Sequence, residues 1–360
     1  LIVLILNKTS AMLKTQWLET HCLVGINDKL QDIIMKALIT TVPFGEKNRL
    51  PLELLEAAGI EYLINPLNKK LTEKELAEMV TDFDVIIAGT EPITDFVMEK
   101  GSKLKMISRV GIGLDSVDLL AAKRRGIQVS YTPDAPGPAV AELTIGLMIT
   151  LLRSVHLSNL EMHKGEWKRY SGRRVANTTI GIIGLGRIGT RVINRLSGFA
   201  TPKLLVNDIS PNSDLDRKFK LEWVDKETIY KESDLISIHV PLTRATKNMV
   251  TKTQLEMMKS DAIVINTSRG GIINEKDLYD AMCDGHLSGA AIDVFEEEPY
   301  SGKLNQLSNC LLTAHIGSMS DDCRTRMETE APEEAIRYAT NKKLEGVVPE
   351  SEHTVQREGL

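Results

Sequence analysis

Thr178-Thr179-Ile180-Gly181-Ile182-Ile183-Gly184-Leu185-Gly186-Arg187-Ile188-Gly189 is the stretch whose reading decides the fold. A β-branched run enters a G-x-G-x-x-G spacing, and a helical pattern leaves it. Glycines spaced this way are a weak signal alone; between a strand and a helix they form a phosphate cradle. Gly184 permits the tight turn, Gly186 lets backbone approach a pyrophosphate, and Gly189 lets helix and sheet pack closely. The helix start offers free N–H groups and a positive dipole end to the phosphates. The next strand, Lys203–Asn207, ends at Asp208. A carboxylate there accepts hydrogen bonds from a ribose and repels a 2′-phosphate, and no Arg follows directly, so NAD is favoured over NADP.

Outward from this point the chain alternates strand and helix patterns. Before it, strands are predicted at Lys36–Val42, Glu61–Ile64, Asp84–Ala88, Lys103–Val110 and Ile127–Tyr131. Helices fall at Leu52–Ala58, Thr72–Val80, from a Thr94 cap to Lys100, and at Ser116–Arg125. Pro133, Pro136 and Pro138 break the pattern, and a long apolar helix follows from Ala139 to about Leu152. After a basic, polar stretch, strands recur at Thr178–Ile183, Lys203–Asn207, Asp234–Val240, Ala262–Thr267, Gly289–Val294 and Cys310–Ala314. A last helix is predicted over Ser320–Thr340. Such alternation means βαβ units and parallel sheets, an α/β fold with two units in sequence. The last helix lies beyond the second sheet, and the pattern permits its return to the first.

The chain has 360 residues, 42% of them hydrophobic, and a formal net charge of −5. That composition supports a full core and argues against a nucleic-acid partner. No apolar run approaches the roughly 20 residues a membrane span needs; Leu1–Leu6 is too short, and no basic region precedes it as in a signal peptide. Cys22, Cys283, Cys310 and Cys323 show no CxxC spacing, which reads as reduced thiols of a cytoplasmic protein with no metal site. Met35 looks like the start of the main fold, so residues 1–34 read as an N-terminal extension, the alternative being an extra strand and helix on the first unit.

A dinucleotide site that exchanged hydride with a small hydroxy acid would need a cation for the carboxylate, an acid/base for the hydroxyl proton, and a group that tunes that base. Each has a candidate at a strand end of the second unit. Arg269, in Asn266-Thr267-Ser268-Arg269-Gly270-Gly271, can clamp a carboxylate through two hydrogen bonds. His315 follows the strand Cys310–Ala314, and a histidine pKa near 6.5 suits proton transfer at neutral pH; on spacing alone a buried, hydrogen-bonded structural histidine is an equal reading. Glu298 lies in Asp293-Val294-Phe295-Glu296-Glu297-Glu298-Pro299. Spacing does not separate it from Glu296 and Glu297.

With these residues in view, the chain from about 36 to 345 resembles the D-isomer-specific 2-hydroxyacid dehydrogenases. The matching runs are Arg109-Val110-Gly111-Ile112-Gly113-Leu114-Asp115, Ala141-Glu142-Leu143, Gly184–Gly189, His239-Val240-Pro241-Leu242-Thr243, Asn266–Gly271, Asp293–Pro299 and His315–Ser318. The resemblance implies two Rossmann-like, doubly wound parallel-sheet domains with a cleft between them. A substrate domain would comprise 35–133 plus 316–360, and an NAD-binding domain 134–315. It implies Arg269 as the substrate-carboxylate clamp, His315 as acid/base, Glu298 as its catalytic carboxylate, and Asp293 as the nicotinamide carboxamide contact. Backbone N–H groups of Gly111, Ile112 and Gly113 would meet the substrate carboxylate. Gly184, Gly186, Arg187, Ile188, Gly189, Asp208, His239, Pro241, Thr267, Arg269, Asp293, His315 and Gly317 would contact NAD. The partner would be a small 2-hydroxy or 2-oxo acid. Trp167 and its basic surroundings resemble the family's dimer contact, which implies a homodimer.

Close subfamilies are 3-phosphoglycerate dehydrogenases, to which the chain leans slightly, and glyoxylate/hydroxypyruvate reductases. The loop Ala88-Gly89-Thr90-Glu91-Pro92-Ile93 carries no Arg or Lys where phosphoglycerate enzymes typically place one, leaving Arg109 as a candidate phosphate partner. The alternative function is an NAD-sensing, corepressor-like dimeric binding protein. A formate-type enzyme is disfavoured because that group typically places Gln where Glu298 stands.

Overall fold

The computed structural model describes residues 35–200 and 202–357. The expected extension 1–34, with Leu1–Leu6 and Cys22, lies outside the described residues.

The first unit runs β1 (Lys36–Ile39), α1 (Leu50–Ala57), β2 (Glu61–Ile64), α2 (Glu73–Met79), β3 (Val85–Ala88), α3 (Asp95–Lys100), β4 (Met106–Arg109), α4 (Leu119–Arg125) and β5 (Gln128–Tyr131). Its five strands are parallel, in the order β2-β1-β3-β4-β5. Strands β3 and β4 are buried along their whole length, as expected of a parallel sheet covered on both faces. Local signals set the helix starts. Thr72 and Glu75 form a reciprocal capping box, and Thr94 and Asp118 cap α3 and α4 through their side chains.

After the prolines comes α5 (Gly137–Leu152), then α6 (Val155–His163). Pro138 does not precede the helix but sits in its first turn, where the missing N–H costs nothing. The second unit follows: β6 (Thr179–Ile183), α7 (Arg187–Leu196), β7 (Lys203–Asn207), α8 (Ser213–Phe219), β8 (Glu222–Trp223), α9 (Lys226–Glu232), β9 (Leu235–Ile238), α10 (Lys252–Met257), β10 (Ile263–Asn266), α11 (Glu275–Cys283), β11 (Gly289–Ile292) and β12 (Cys310–Leu312). These seven strands are parallel in the order β12-β11-β10-β9-β6-β7-β8. The two doubly wound sheets expected from the alternation are both present.

Two further helices follow, α12 (Asp321–Ala339) and α13 (Glu350–Arg357). Helix α12 buries Cys323, Met327, Ala331 and Ala335 against Ala37, Ile39, Val85, Ile87 and Met106 of the first sheet. Ser108 Oγ donates to the Ala331 carbonyl at 2.9 Å. Pro332 lies inside this helix. Helix α13 is fixed to the first unit by Gln356, whose Nε2 donates to Val117 O at 2.6 Å and whose Oε1 accepts from Leu119 N at 2.8 Å. Among the described residues no single helix is long and apolar enough to cross a membrane.

Several strands are shorter than their apolar runs. β1 stops at Ile39 rather than Val42, β9 at Ile238 rather than Val240, and β12 at Leu312 rather than Ala314. In each case the residues beyond the pairing leave the sheet and form cleft loops. His315 therefore sits in a loop three residues past β12, not at the strand end.

Candidate active site

A cleft of about 1050 Å³ opens between the C-terminal ends of the two sheets. In open parallel sheets, ligands bind in the crevice where strand order reverses. The second sheet reverses between β6 and β9, and the glycine loop follows β6 while His239 follows β9.

Arg269 is presented by a short turn after β10. Asn266 Oδ1 accepts from Ser268 N at 3.0 Å, and Asn266 Nδ2 donates to Arg269 O at 2.8 Å. A Cβ on Gly270 would lie 2.0 Å from the Phe295 carbonyl carbon, so only glycine lets this turn lie beneath the loop carrying Glu298. The Arg269 guanidinium donates from Nη1 to Ser268 O at 2.7 Å and from Nε to Asp115 Oδ1 at 3.0 Å. Its Nη2 lies 1.7 Å from where a Gly113 Cβ would stand. Burial raises the Asp115 pKa, but the facing guanidinium more than compensates and holds the carboxyl below its ordinary value.

His315 and Glu298 meet in the same cleft. Nδ1 of His315 lies 3.0 Å from Oε1 and 2.9 Å from Oε2 of Glu298. A carboxylate only accepts, so Nδ1 carries the proton and Nε2 is the free ring atom. Phe295 N also donates to Glu298 Oε1, at 3.2 Å. Burial pushes the Glu298 pKa up, yet the bond and charge of His315 bring it below the ordinary carboxylate value. Glu296 and Glu297 are exposed, so the tertiary structure separates Glu298 from its neighbours where spacing did not.

His315 adopts a left-handed backbone, φ 51°, an uncommon conformation that surrounding contacts must hold. Asp293 supplies them. Its Oδ1 accepts from Thr313 Oγ1 at 2.6 Å and Ile316 N at 2.8 Å, and its Oδ2 from Gly317 N at 2.9 Å. Burial raises the Asp293 pKa; these hydrogen bonds offset it only in part.

The glycine loop fits a dinucleotide. Gly184 has φ +97°, and a Cβ there would meet His239 O at 2.5 Å; a Cβ on Gly189 would meet Gly184 O at 1.9 Å; beside Gly186 there is open space. No side chain caps the start of α7, which leaves its first N–H groups for an anion. Asp208 accepts from Leu185 N at 2.7 Å and Ser210 N at 2.8 Å, with lone pairs to spare. The His239 Nε2 is 2.9 Å from Ser237 Oγ, while its buried Nδ1 has no protein partner. Burial drives the His239 pKa down to about 3, so the ring is neutral. Arg187 pairs with Asp134, Nε to Oδ1 3.3 Å, and Thr267 Oγ1 is 2.9 Å from Thr144 Oγ1.

Gly111, Ile112, Gly113, Gly186, Arg187, Ile188, His239, Pro241, Thr267, Asp293 and Gly317 line the cleft with Arg269, Glu298 and His315. Gly184, Gly189 and Asp208 are not among its lining residues; the first two set the loop's close approaches, and Asp208 bonds the loop through Leu185 N. Sequence reasoning assigned no role to Asp115 or Asn266. Asn266 could have been found: an Asn ending a strand before a turn is a side-chain-to-backbone turn signal.

Residues 145–317 match the model of the D-isomer specific 2-hydroxyacid dehydrogenase, NAD binding domain. The hydroxypyruvate reductase of Thermotoga maritima is 36% identical over 277 residues, covering 75% of this chain and 89% of the relative. The chain belongs to the D-isomer-specific 2-hydroxyacid dehydrogenase family. The D-3-phosphoglycerate dehydrogenase of Methanocaldococcus jannaschii is 38% identical over 284 residues, 77% of this dehydrogenase but only 54% of the relative. The structure of D-lactate dehydrogenase from Aquifex aeolicus, complexed with NAD and lactic acid, superposes with a TM-score of 0.75 at 28% identity, covering 85% of this chain and 96% of that one. The protein is thus an NAD-dependent oxidoreductase acting on a D-2-hydroxy acid or its 2-oxo acid. These relatives are named as enzymes, which favours turnover over the dinucleotide-sensing alternative.

Proposed function

We propose that Arg269, Glu298 and His315 are the catalytic residues, and that residues 35–133 with 316–360 form the substrate domain against an NAD domain of 134–315. The observation that carries this reading is the His315–Glu298 pair at 2.9 Å, in one cleft with the Arg269 guanidinium. When bound, the dinucleotide supplies or accepts the hydride at C2. The glycine loop, Asp208 beside it, His239 and the cleft-lining residues named above would hold it, with Asp293 near the nicotinamide end.

In the reducing direction, Arg269 and the N–H groups of Ile112 and Gly113 hold the substrate carboxylate; the third expected donor, Gly111 N, is instead taken by Thr132 Oγ1 at 2.8 Å. His315 gives the proton on Nε2 to the C2 oxygen as that oxygen becomes a hydroxyl. Glu298 accepts from Nδ1 throughout, which fixes the ring and stabilises the imidazolium present before transfer. Oxidation reverses these roles. Closure of the two units around the cleft would exclude water.

The exposed apolar side chains Val155, Leu160, Met162 and Trp167 support a homodimer face on and after α6. Free thiols at Cys283, Cys310 and Cys323 support a reducing, cytoplasmic location. The substrate falls among glyoxylate, hydroxypyruvate and the oxidised form of 3-phosphoglycerate. Initial rates with these and pyruvate, using NADH and NADPH in parallel, test the reading. NADH-dependent reduction of at least one acid is expected; no turnover of any acid by protein that binds NADH would overturn it.

A further inference from the structure

We propose that Glu91 and Arg109 form a second substrate subsite on the floor of the cleft, one that recognises a hydroxyl on the carbon next to the reacting carbonyl and selects against a phosphate there. The proposal rests on the reaction just assigned and adds the class of substrate.

The sheet topology places the subsite. The first sheet reverses strand order between β1 and β3, and chain leaving the ends of two such strands diverges to leave a ligand crevice. Thr40 and Thr41 follow β1, while Gly89, Thr90 and Glu91 follow β3; Arg109 ends the neighbouring β4. All of them line the cleft.

Both charged groups are buried, Glu91 at 1% exposure and Arg109 at 7%. Glu91 Oε1 accepts from Gly89 N at 2.8 Å and from Thr40 Oγ1. Among the described residues no donor serves Oε2. Arg109 Nη1 donates to Val110 O, and its buried Nε has no partner. A guanidinium carries five N–H groups, so most of this one is idle. The two residues feel each other's charge, yet among the described residues no direct ion pair joins them. Burial lowers the Arg109 pKa to about 10, which leaves it cationic at neutral pH. The floor of the cleft therefore holds an idle acceptor and idle donors, in surroundings where unmet hydrogen-bonding capacity is costly.

A hydroxyl satisfies both sides. It donates to Glu91 Oε2, accepts from Arg109, and brings no charge. A phosphate, carrying roughly −1.5 to −2 at pH 7, would find Arg109 but meet the repulsion of the Glu91 carboxylate, whose charge already acts on that guanidinium. Of the two guanidinium groups whose charge reaches Arg109, Arg269 serves the substrate carboxylate, and Arg324 is already engaged by Glu328 Oε1 at 2.6 Å and Pro43 O at 2.8 Å.

The reach is right for a three-carbon acid. A Cβ on Gly111 would meet Arg109 Nη1 at 2.7 Å, and one on Gly113 would meet Arg269 Nη2 at 1.7 Å. The two guanidinium groups thus flank one loop at residues two positions apart, at most about 7 Å of chain. A carboxylate at the Arg269 end leaves the C3 substituent towards Arg109.

The test compares glyoxylate, hydroxypyruvate and 3-phosphohydroxypyruvate with NADH, in the unaltered protein and in Glu91→Gln. The unaltered protein should favour hydroxypyruvate over each of the others in kcat/KM by about tenfold or more. In Glu91→Gln the amide oxygen stays with Gly89 and Thr40, so the cleft receives an NH₂ in place of the acceptor. The hydroxypyruvate-to-phosphohydroxypyruvate ratio should then fall about tenfold or more; NADH binding, read by fluorescence titration, reports that the variant is folded and competent. A preference of the unaltered protein for the phosphorylated acid would overturn the subsite, and so would an unchanged ratio in the variant. Failure of all three acids would instead overturn the assigned reaction, and the subsite with it.

Discussion

Arg269 donates from Nε to Asp115 Oδ1 at 3.0 Å, joining a loop of the first sheet to a loop of the second across 154 positions of sequence. With Nη1 on Ser268 O, two of the guanidinium's three nitrogens are anchored and Nη2 is left to face Gly113. The clamp is oriented before any substrate arrives, and a preorganised group loses less freedom on binding.

Asp115→Asn should therefore loosen the clamp without removing its charge. The pair is partly exposed, 24% and 42% for the two side chains, so a loss of about 1 kcal/mol or less is appropriate. Steady-state kinetics should show KM for the 2-oxo acid up by roughly fivefold, with NADH affinity unchanged. An unaltered KM would show that the anchor does not orient the clamp.

Removing the clamp or the acid/base is more severe. Arg269→Ala and His315→Ala should each lower kcat/KM by roughly 10² to 10⁴, while NADH binding, read by fluorescence titration, is largely kept. Arg269→Lys should not restore the rate, because an ammonium lacks the fork that bonds Ser268, Asp115 and a carboxylate together. Near-normal turnover by His315→Ala would remove the acid/base assignment.

The Glu298 pKa is held below its ordinary value of 4.5, against burial, by the His315 bond and charge. A depressed carboxylate pKa contributes stability that is present above the unfolded value and lost as pH falls through the folded one. Urea midpoints of the unaltered protein should fall on acidification below about pH 4.5, and Glu298→Gln should remove part of that slope. A slope identical in both proteins would mean that the pair contributes nothing to folding.

Asp208 reaches the glycine loop from the end of β7 through Leu185 N at 2.7 Å. Its replacement by Ala should raise KM for NADH and narrow the preference over NADPH, because the variant lacks both the ribose acceptor and the charge that repels a 2′-phosphate. The measurement is the kcat/KM ratio of the two nucleotides; an unchanged ratio would place cofactor selection elsewhere.

The thiols should differ sharply in reactivity. Burial pushes Cys310 up to about 12 and Cys323 to about 11, whereas Cys283 is exposed. Among the cysteines of the described residues, brief maleimide treatment at pH 7.5 should label Cys283 and spare Cys310 and Cys323, since only thiolate reacts at an appreciable rate. Peptide mapping checks this; rapid labelling of Cys310 would show that β12 opens readily.

The chain's own sequence determined the two parallel sheets, the phosphate cradle and the residue types of the site, because each is written in local periodicity or in a motif of a few residues. Thr72, Thr94 and Asp118 fixed helix starts for the same reason: a cap bonds an N–H two or three residues away. Tertiary structure decided what depends on approach between distant segments. It selected Glu298 over Glu296 and Glu297 by putting one carboxylate against the His315 ring. It brought Asp115 to Arg269, set α12 against the first sheet, and buried Glu91 and Arg109 on the same floor. β8 and α13 also escaped the sequence reading, the first being two residues long and the second having no buried residue of its own. Local rules report what a segment prefers; which side chains share a cleft is settled only when two sheets, far apart in sequence, bury their faces and turn their strand ends toward each other.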